Sequence, residues 1–371
     1  MRRPSAPGSS PETGGTLPGV SARERRLVLL AEGRFTRTGA KTAVGLIRYG
    51  TDPVLAVIDS TRAGSTAGAE IGAGGQIPVV ATLEEALALA PNTLIVGVST
   101  RGGHLPAGFR PLILAAIEAG LHVESGLHEF ISEDPEFTAA AARRGVRLVD
   151  HRAVAPEWNR IVDGRNPGVP VIATVGSDCN TGKMTASLET ARSLAKIGVR
   201  AGFAPTGQTG RLVAGWGVAV DRVISDFVAG ASELLVRRAA EGNDLVIVEG
   251  QGSIDHPTYS GVTLGLLHGS RPDLLILCHQ AGRTGHNGYE SFPIRPLTEL
   301  VEMYEQAAAW VRPARTVGVA LNTSSLDETG ARRVIAEAAA ETGLPTTDPV
   351  RFGAGALAEA IRVAMPKVAA G

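Results

Sequence analysis

A loop bounded by glycines and closed by a lysine is the part of this chain best suited to chemistry. It runs from Gly176 to Lys183, after an apolar β-branched stretch and before a stretch of helical character. The backbone N–H groups of such a loop converge on an anion, and the lysine reaches the outer phosphates of a nucleotide. We therefore predict a P-loop in which Lys183 is a catalytic cation. The predicted phosphate-binding residues are Gly176, Ser177, Asp178, Cys179, Asn180, Thr181, Gly182, Lys183, Met184 and Thr185.

The loop departs from the usual motif in two ways. One more residue separates Gly176 from Gly182 than in the common P-loop, and Met184 stands where a Mg²⁺-binding Ser or Thr is expected. Thr185 follows directly, so we predict Thr185 and the loop carboxylate of Asp178 as metal ligands. The alternative is an ordinary strand-to-helix turn with Lys183 exposed at the start of the helix.

Acidic and imidazole side chains follow other predicted strands of the second half. Glu249 ends the apolar run at 245–248 and is our main metal ligand, with a helix N-cap carboxylate as the alternative. Asp226 is a candidate catalytic acid or a turn residue. His279, directly after the run at 274–278, is the first choice for a general base, and His256 is the second.

Three polar loops supply the candidate substrate contacts. They lie at 205–210, 256–261 and 282–288, each after a predicted strand or strand-end motif. One such loop alone is usually structural, and their clustering at strand ends is what favours ligand binding. Asn322, after the run at 317–321, could bond a nucleobase edge or cap the next helix. The predicted substrate residues are Thr206, Gln208, Thr209, His256, Tyr259, Ser260 and Arg283.

Alternating apolar and Ala-rich stretches must position these residues. Helices are predicted at 83–89 and 112–119, and strands at 26–30, 54–58, 93–98, 200–204, 244–249, 273–278 and 316–321, with the P-loop strand starting at 169. Continuously apolar strands between helices indicate parallel sheets covered on both faces. We predict an α/β protein with an N-terminal Rossmann-like parallel-sheet domain at 25–152 and a P-loop NTPase-like doubly wound domain at 153–371. Residues 1–24, rich in Pro, Ser, Gly and Thr, are predicted to be a disordered tail.

Composition excludes several functional classes. The 371 residues carry a formal net charge of −1, which gives no electrostatic case for nucleic acid or an anionic membrane. Cys179 and Cys278 cannot form a disulfide framework and suggest a reducing cytosol. No apolar run reaches the roughly 18 residues that a membrane span needs. We expect a cytoplasmic homo-oligomer that acts on a small amino acid or carboxylate, without nucleic-acid or membrane partners.

Part of the second half resembles dethiobiotin synthetase. The resemblance is carried by the loop Gly-Ser-Asp-Cys-Asn-Thr-Gly-Lys at 176–183, by Glu249-Gly250 and by Asn322. It implies ATP and Mg²⁺ as cofactors, with Glu249 on the metal and Asn322 on adenine. The implied chemistry is phosphorylation of a carboxylate, followed by attack of a nitrogen nucleophile.

A longer set of motifs resembles the DgcN-like family over almost the whole chain after the tail. These motifs are Gly-Lys-Met-Thr at 182–185, Thr-Gly-Gln-Thr-Gly at 206–210, Tyr-Ser-Gly-Val-Thr-Leu-Gly-Leu-Leu-His-Gly at 259–269 and Ser-Gly-Leu-His-Glu-Phe at 125–130. A member of that family is described as a D-glutamate N-acetyltransferase, which implies acetyl-CoA as the acyl donor.

The first half also resembles the CoA-binding domain of succinyl-CoA synthetase, at 75–86 and 115–123. The glycine-rich first turn of that domain is absent, and Gly33-Arg34-Phe35-Thr36-Arg37-Thr38-Gly39-Ala40-Lys41-Thr42 stands in its place. This segment mimics a second P-loop. We interpret it as a Rossmann-like first turn, with ligand binding as the less favoured alternative.

Three functions follow from these features. The leading hypothesis is an ATP- and Mg²⁺-dependent enzyme of the ligase or kinase type, which activates a small carboxylate or amino acid as an acyl phosphate. The alternative is an amino-acid N-acetyltransferase that acts on D-glutamate or a similar amino acid with acetyl-CoA. The third is a nucleotide-dependent switch, which the separate Rossmann-like domain disfavours.

Overall fold

Six parallel strands form the sheet of the N-terminal half of the chain. The structure is a computed structural model that describes residues 25–368, so the tail predicted at 1–24 lies outside the described residues. The strand order is β3-β2-β1-β4-β5-β6. The strands are β1 (Leu27–Leu30), β2 (Val54–Ile58), β3 (Val79–Val80), β4 (Thr93–Val96), β5 (His122–Ser125) and β6 (Leu148–Asp150), and the helices are α1 (Lys41–Tyr49), α2 (Ala67–Ile71), α3 (Leu83–Leu87), α4 (Phe109–Glu118) and α5 (Pro135–Arg144).

The direction of the connections reverses between β1 and β4 in this sheet. Every side chain of these two central strands is buried, because helices cover both faces. At such a reversal, the loops leaving the carboxyl ends of the two strands diverge and open a crevice. The loops after β1 and β4 therefore supply the natural ligand site of this half.

A second sheet of six parallel strands forms the C-terminal half. Its order is β14-β13-β10-β7-β9-β8. The strands are β7 (Val171–Gly176), β8 (Ala201–Ala204), β9 (Leu245–Val248), β10 (Leu274–Gln280), β13 (Arg315–Asn322) and β14 (Thr346–Thr347), with an antiparallel hairpin of β11 (Gly285–His286) and β12 (Tyr289–Pro293). The helices are α6 (Lys183–Lys196), α7 (Gln208–Ala214), α8 (Val228–Ala240), α9 (Ser260–Ser270), α10 (Leu297–Ala309), α11 (Glu328–Thr342) and α12 (Gly355–Val368).

These sheets confirm the predicted α/β architecture. The predicted strands are present with small shifts at their ends, and the helix predicted at 112–119 is α4. Strands β3, β5, β6 and β14 and the hairpin were missed, since they are too short or too polar to produce an apolar run. Among the described residues, no helix combines the length and the apolar character needed to cross a membrane.

The two halves share an interface built by α1 and α7. Leu212 of α7 is buried in the core of the N-terminal half. The Thr42 and Thr209 hydroxyls lie 3.3 Å apart and are buried. A Cβ added to Gly45 would lie 2.5 Å from the Thr209 Cγ2, so α1 approaches α7 as closely as a glycine permits. This docking sets the carboxyl ends of the two sheets against one cleft.

Candidate functional site

A cleft of about 1370 Å³ lies between the two halves. One wall consists of the loops after β1, β4, β5 and β6, and the other consists of the loops that follow strands of the C-terminal sheet, mainly β7, β9, β10 and β13. Small-molecule sites usually measure about 300–1,000 Å³, so this cleft has room for a long ligand or for two ligands together. Both sheets thus direct the ends where α/β proteins bind ligands into the same space.

The P-loop is part of the cleft wall that the C-terminal half contributes. Asn180 and Gly182 have φ angles of +57° and +105°, and these left-handed residues turn the chain into α6. Among the described residues, the N–H groups from Asn180 to Thr185 meet no backbone acceptor. Unpaired N–H groups at the start of a helix form an anion-binding nest. The geometry therefore fits a phosphate group.

The Lys183 side chain is folded under this loop. Its Nζ donates to the carbonyl oxygens of Asp178 at 2.7 Å and Gly252 at 2.8 Å. Burial lowers the pKa of Lys183. Both acceptors are neutral, so a buried ammonium charge remains that an anionic ligand would compensate. A Cβ at Gly176 would lie 2.8 Å from the Lys183 Nζ, so a side chain at this position would displace the lysine.

Glu249 faces the same cleft from the end of β9. Its Oε2 accepts the backbone N–H groups of Thr206 at 3.1 Å and Gly207 at 3.3 Å. Its Oε1 accepts no hydrogen bond from a described residue. Gly250 must follow, since a Cβ there would lie 1.8 Å from the Thr174 carbonyl oxygen. Glu249 and Thr185, both cleft residues, are the groups that could hold Mg²⁺, and their role as ligands stays a prediction.

The carboxyl of Glu249 gives a testable pH dependence. Burial raises its pKa above the ordinary 4.5, so its contribution to stability is full below that value and declines as pH rises toward the folded pKa. Glu249→Gln keeps a carbonyl acceptor for Thr206 and Gly207 and removes the ionisation. We expect the variant's free energy of unfolding to fall less between pH 4.5 and neutrality than that of the unaltered protein.

Urea unfolding across this pH range measures the effect. The matched control is Glu290→Gln, which changes an exposed glutamate of the hairpin. A slope with pH that is the same in Glu249→Gln and in the unaltered protein would contradict the interpretation.

Asp178 is an anchor of the P-loop and lies outside the cleft. Its Oδ2 accepts from Arg283 Nη1 at 2.7 Å and from the Asn287 N–H at 2.8 Å, and its Oδ1 lies 3.2 Å from His286 Nδ1. Burial alone would raise its pKa, and these hydrogen bonds, led by that of Asn287, hold the pKa below its ordinary value. The metal role predicted for Asp178 therefore finds no support in its placement, because its oxygens are already occupied.

The anchor predicts a large loss of stability for Asp178→Asn. Removing one charge of a buried ion pair typically costs about 3–5 kcal/mol, because the remaining charge stays buried and unpaired. We expect the free energy of unfolding, measured in urea, to fall by about 3 kcal/mol or more. Asp163→Asn, an exposed carboxylate with arginine partners, is the control and should change little. An unchanged stability in Asp178→Asn would refute the anchor.

Asp178, His256 and His286 are buried and close enough together to hold a metal ion. The hydrogen bonds of His256 oppose that reading. Its Nδ1 accepts the N–H groups of Thr258 at 3.1 Å and Tyr259 at 3.3 Å. The neutral ring must then carry its proton on Nε2, which points toward Asp178 Oδ1 at 3.6 Å and has no lone pair for a metal. The cluster fits a proton donor better than a metal site.

The structure divides the other predicted residues into two groups. The predicted residues that line the cleft are Cys179, Asn180, Thr181, Gly182, Lys183, Met184, Thr185, Gln208, Glu249, Tyr259, Arg283 and Asn322. Those that do not line it are Gly176, Ser177, Asp178, Thr206, Thr209, Asp226, His256, Ser260 and His279. The Asn322 side chain also accepts the Ser324 N–H at 3.1 Å, which caps the turn after β13. It does not cap the next helix, because the N-cap of α11 is Asp327.

Two of the predicted catalytic groups, Asp226 and His279, lie outside the cleft, and their catalytic roles stay predictions. Asp226 is an exposed residue of the turn before α8, where its carboxylate meets water. His279 Nδ1 lies 2.8 Å from the Ser177 Oγ beneath the loop, and burial lowers its pKa to about 4. A strand end locates a residue along the sheet edge, but does not determine whether its side chain turns into the cleft or under it.

The N-terminal half contributes cations that the sequence did not single out. Nine Lys and Arg side chains line the cleft, against four carboxylates. Scattered basic residues carry no spacing signal, and the net charge of −1 conceals their convergence. The cleft is therefore an anion site in a nearly neutral protein. Its lysines and arginines are Arg34, Arg37, Lys41, Arg48, Arg101, Arg152, Lys183, Arg283 and Arg351.

The first turn of the N-terminal half is not a second P-loop. The carboxylate of Asp59, directly after β2, accepts the N–H groups of Gly33, Arg34 and Phe35 at 2.8 to 3.1 Å. Burial alone would raise the pKa of Asp59, and these bonds together with that from Thr61 hold it below its ordinary value. The backbone donors that a phosphate would need are thus already paired.

Comparison with known proteins gives a consistent set of relatives. Residues 160–358 match DUF1611, a domain of unknown function described as a P-loop domain, and residues 60–154 match its Rossmann-like N-terminal counterpart. A D-glutamate N-acetyltransferase from Tritonibacter scottomollicae is 35% identical over 87% of this chain and 94% of its own length. One from a Pseudoalteromonas species is 36% identical over 72% of this chain and 81% of its own. The crystal structure of a DUF1611 family protein from Anabaena variabilis is 37% identical, with a TM-score of 0.84 over 91% of this chain and 99% of that one.

Proposed function

We propose, from the premise that this chain belongs to the DUF1611 family, that it transfers an acetyl group from acetyl-CoA to the amino group of D-glutamate or a similar acidic amino acid. Membership confirms the predicted DgcN-like resemblance. The two D-glutamate N-acetyltransferases similar to this chain support the reaction, since one aligns over 94% of its length. This proposal places the acetyltransferase alternative ahead of the ATP-dependent ligase that the sequence favoured.

The cationic cleft is the observation that carries the proposal. A P-loop on one wall and unpaired cations on the other suit a ligand with several phosphate groups, and CoA has such groups. The same excess of positive charge suits an amino acid with two carboxylates. The volume of about 1370 Å³ supports simultaneous binding of both substrates.

The chemistry requires a base for the attacking amine. The amine nitrogen forms a bond to the thioester carbonyl carbon, the carbon–sulfur bond breaks, and CoA leaves as a thiolate that takes up a proton. The substrate ammonium must first lose a proton, because its nitrogen has no lone pair until then. The groups of this chain contribute by accepting that proton and by positioning both substrates.

His128 is the cleft residue that fits the role of base. It lies in the motif Ser-Gly-Leu-His-Glu-Phe, and its Nε2 is 3.7 Å from the Asp221 Oδ2. Burial lowers the pKa of His128, and nearby Arg152 lowers it further, so the ring is neutral at pH 7 and can accept a proton. The carboxylate of Asp221 would stabilise the imidazolium that forms.

An ATP- and Mg²⁺-dependent ligase or kinase is the second candidate. It is favoured by one observation, the open Oε1 of Glu249 beside the P-loop and Thr185. In that reaction Mg²⁺ would neutralise phosphate charge, while Lys183 and the loop N–H groups would hold the transferred phosphoryl group. ADP formation that depends on both Mg²⁺ and an amino acid would favour this candidate.

The test of the proposed function uses purified full-length protein, acetyl-CoA and a panel of D- and L-amino acids. Products are identified by mass. We expect N-acetyl-D-glutamate, or the N-acetyl derivative of a similar acidic amino acid, in the absence of ATP. Unmodified amino acids across the panel would overturn the acetyltransferase proposal.

A further inference from the structure

Three cations on one segment of the N-terminal wall lack strong partners. Arg34 and Arg37 lie on the connection from β1 to α1, Lys41 is the first residue of α1, and all three line the cleft. Neither Arg34 nor Arg37 makes a side-chain hydrogen bond or ion pair with any residue between 25 and 368. Lys41 Nζ donates to the Asn180 Oδ1 at 3.3 Å, a neutral acceptor in the P-loop. None of these three cations is in an ion pair with a residue between 25 and 368. Burial raises the pKa of Glu249 in the same cleft, and the positive charge of Lys41 acts to lower it.

These side chains are the anion-binding groups of their segment. The backbone N–H groups of Gly33 and Arg34 already donate hydrogen bonds to the carboxylate of Asp59. An anion must therefore be held here by ammonium and guanidinium groups, whereas the P-loop offers backbone N–H groups. The guanidinium group of arginine can donate two parallel hydrogen bonds to phosphate oxygens, whereas the lysine ammonium acts as a point charge.

The fold holds Lys41 against the P-loop. Thr42, the next residue, makes a buried contact with Thr209 of α7. Gly45, one turn further along α1, packs on Thr209 and lies near Met184 of α6. The packing of α1 on α7 therefore holds the Lys41 amine beside the P-loop. Arg34 and Arg37, which precede Lys41 in the chain, are exposed.

We propose that Arg34, Arg37 and Lys41 form a second phosphate-binding site, which works with the P-loop on one ligand. Lys41 shares the phosphate chain that the P-loop holds. Arg34 and Arg37 bind a phosphate monoester that stands apart from this chain. The ligand class is a nucleotide with two separate phosphate groups, as in CoA, and ATP with its single chain leaves the arginines unused. The assignment rests on the proposed function in taking CoA as the ligand.

The experiment compares three probes by calorimetry: CoA, 3′-dephospho-CoA and ATP. The variants are Lys41→Met and the double change Arg34→Gln with Arg37→Gln. Lys196→Met, at the exposed end of α6, is the matched lysine control. Arg143→Gln with Arg144→Gln, on the outer surface of α5, is the matched arginine control. Unfolding midpoints establish that all variants fold.

Charge-assisted hydrogen bonds set the expected size of the effects. The double arginine variant should bind CoA about 10- to 100-fold more weakly and bind 3′-dephospho-CoA as the unaltered protein does. Lys41→Met should weaken the binding of all three probes by about tenfold or more. The control variants should bind each probe normally, and higher salt should reduce the differences.

Three results would overturn the second site. The first is an unchanged affinity for CoA in the arginine variant. The second is an equal loss of affinity for CoA and for 3′-dephospho-CoA in that variant. The third is failure of the unaltered protein to bind CoA. A separate measurement tests the acetyltransferase proposal: that proposal fails if no N-acetyl product forms. A protein that binds CoA through these arginines without making that product would keep the second site and lose the reaction.

Discussion

Replacement of Lys183 by alanine is expected to raise KM for acetyl-CoA by about 10- to 100-fold, with kcat at saturation changed far less. The buried ammonium has only the neutral carbonyls of Asp178 and Gly252 as partners, so it is available to a phosphate. Each hydrogen bond to a charged group contributes about 1.5–3 kcal/mol. The CoA phosphates are remote from the acetyl group and are bound equally before and during transfer, which is uniform binding.

The alternative chemistry predicts a different outcome for the same variant. If phosphoryl transfer from ATP were the reaction, Lys183 would stabilise the reacting group itself, and kcat would fall by about 10²–10³-fold. Steady-state kinetics over a wide range of acetyl-CoA concentrations separates the two. Lys196→Met, a lysine change at the other end of α6, is the control. An unchanged KM in Lys183→Ala would contradict a phosphate-binding P-loop.

His128→Gln is expected to lower kcat by about 10²–10⁴-fold, the usual contribution of general acid–base catalysis. Glutamine keeps a polar side chain but cannot accept a proton at neutral pH. Since burial and Arg152 lower the pKa of His128 below 6.5, the unaltered enzyme should lose activity only as pH falls beneath that value. The variant should retain its affinity for both substrates and lose this acid limb.

A rate–pH profile of both proteins measures the effect. His104→Gln, an exposed histidine of the same half, is the matched control and should keep the profile. An acid limb that persists in His128→Gln would assign the proton acceptor to another group. A kcat within a few-fold of the unaltered protein would exclude His128 as the base.

The sequence predicted the parts of this site that are local. The P-loop is one continuous segment, and Glu249 and Asn322 each end an apolar run, so strand periodicity alone places them at a common sheet edge. Cys179, Arg283 and Tyr259 reach the cleft for the same reason. Parallel strands bring their carboxyl ends together whatever their separation in sequence.

The remaining parts depend on tertiary contacts that no spacing reveals. Lys41 reaches Asn180 because α1 docks on α7, and the two residues are 139 positions apart. Asp178 was expected to bind metal, but Arg283 and the hairpin N–H of Asn287 fill its oxygens. His128 lies in the motif Ser-Gly-Leu-His-Glu-Phe, which is identifiable from the sequence alone. Its proximity to Asp221 could not be predicted, because the two residues belong to different halves of the chain.

The most direct test of the central claim is the stoichiometry of acetyl transfer in the absence of ATP. Purified protein is mixed with acetyl-CoA and D-glutamate, and free CoA thiol and N-acetyl-D-glutamate are quantified together, with L-glutamate in a parallel reaction. Acetyl transfer from acetyl-CoA should give equal amounts of the two products without ATP or Mg²⁺. No acetylated product, together with ADP released only when ATP and Mg²⁺ are added, would contradict it and support the ligase.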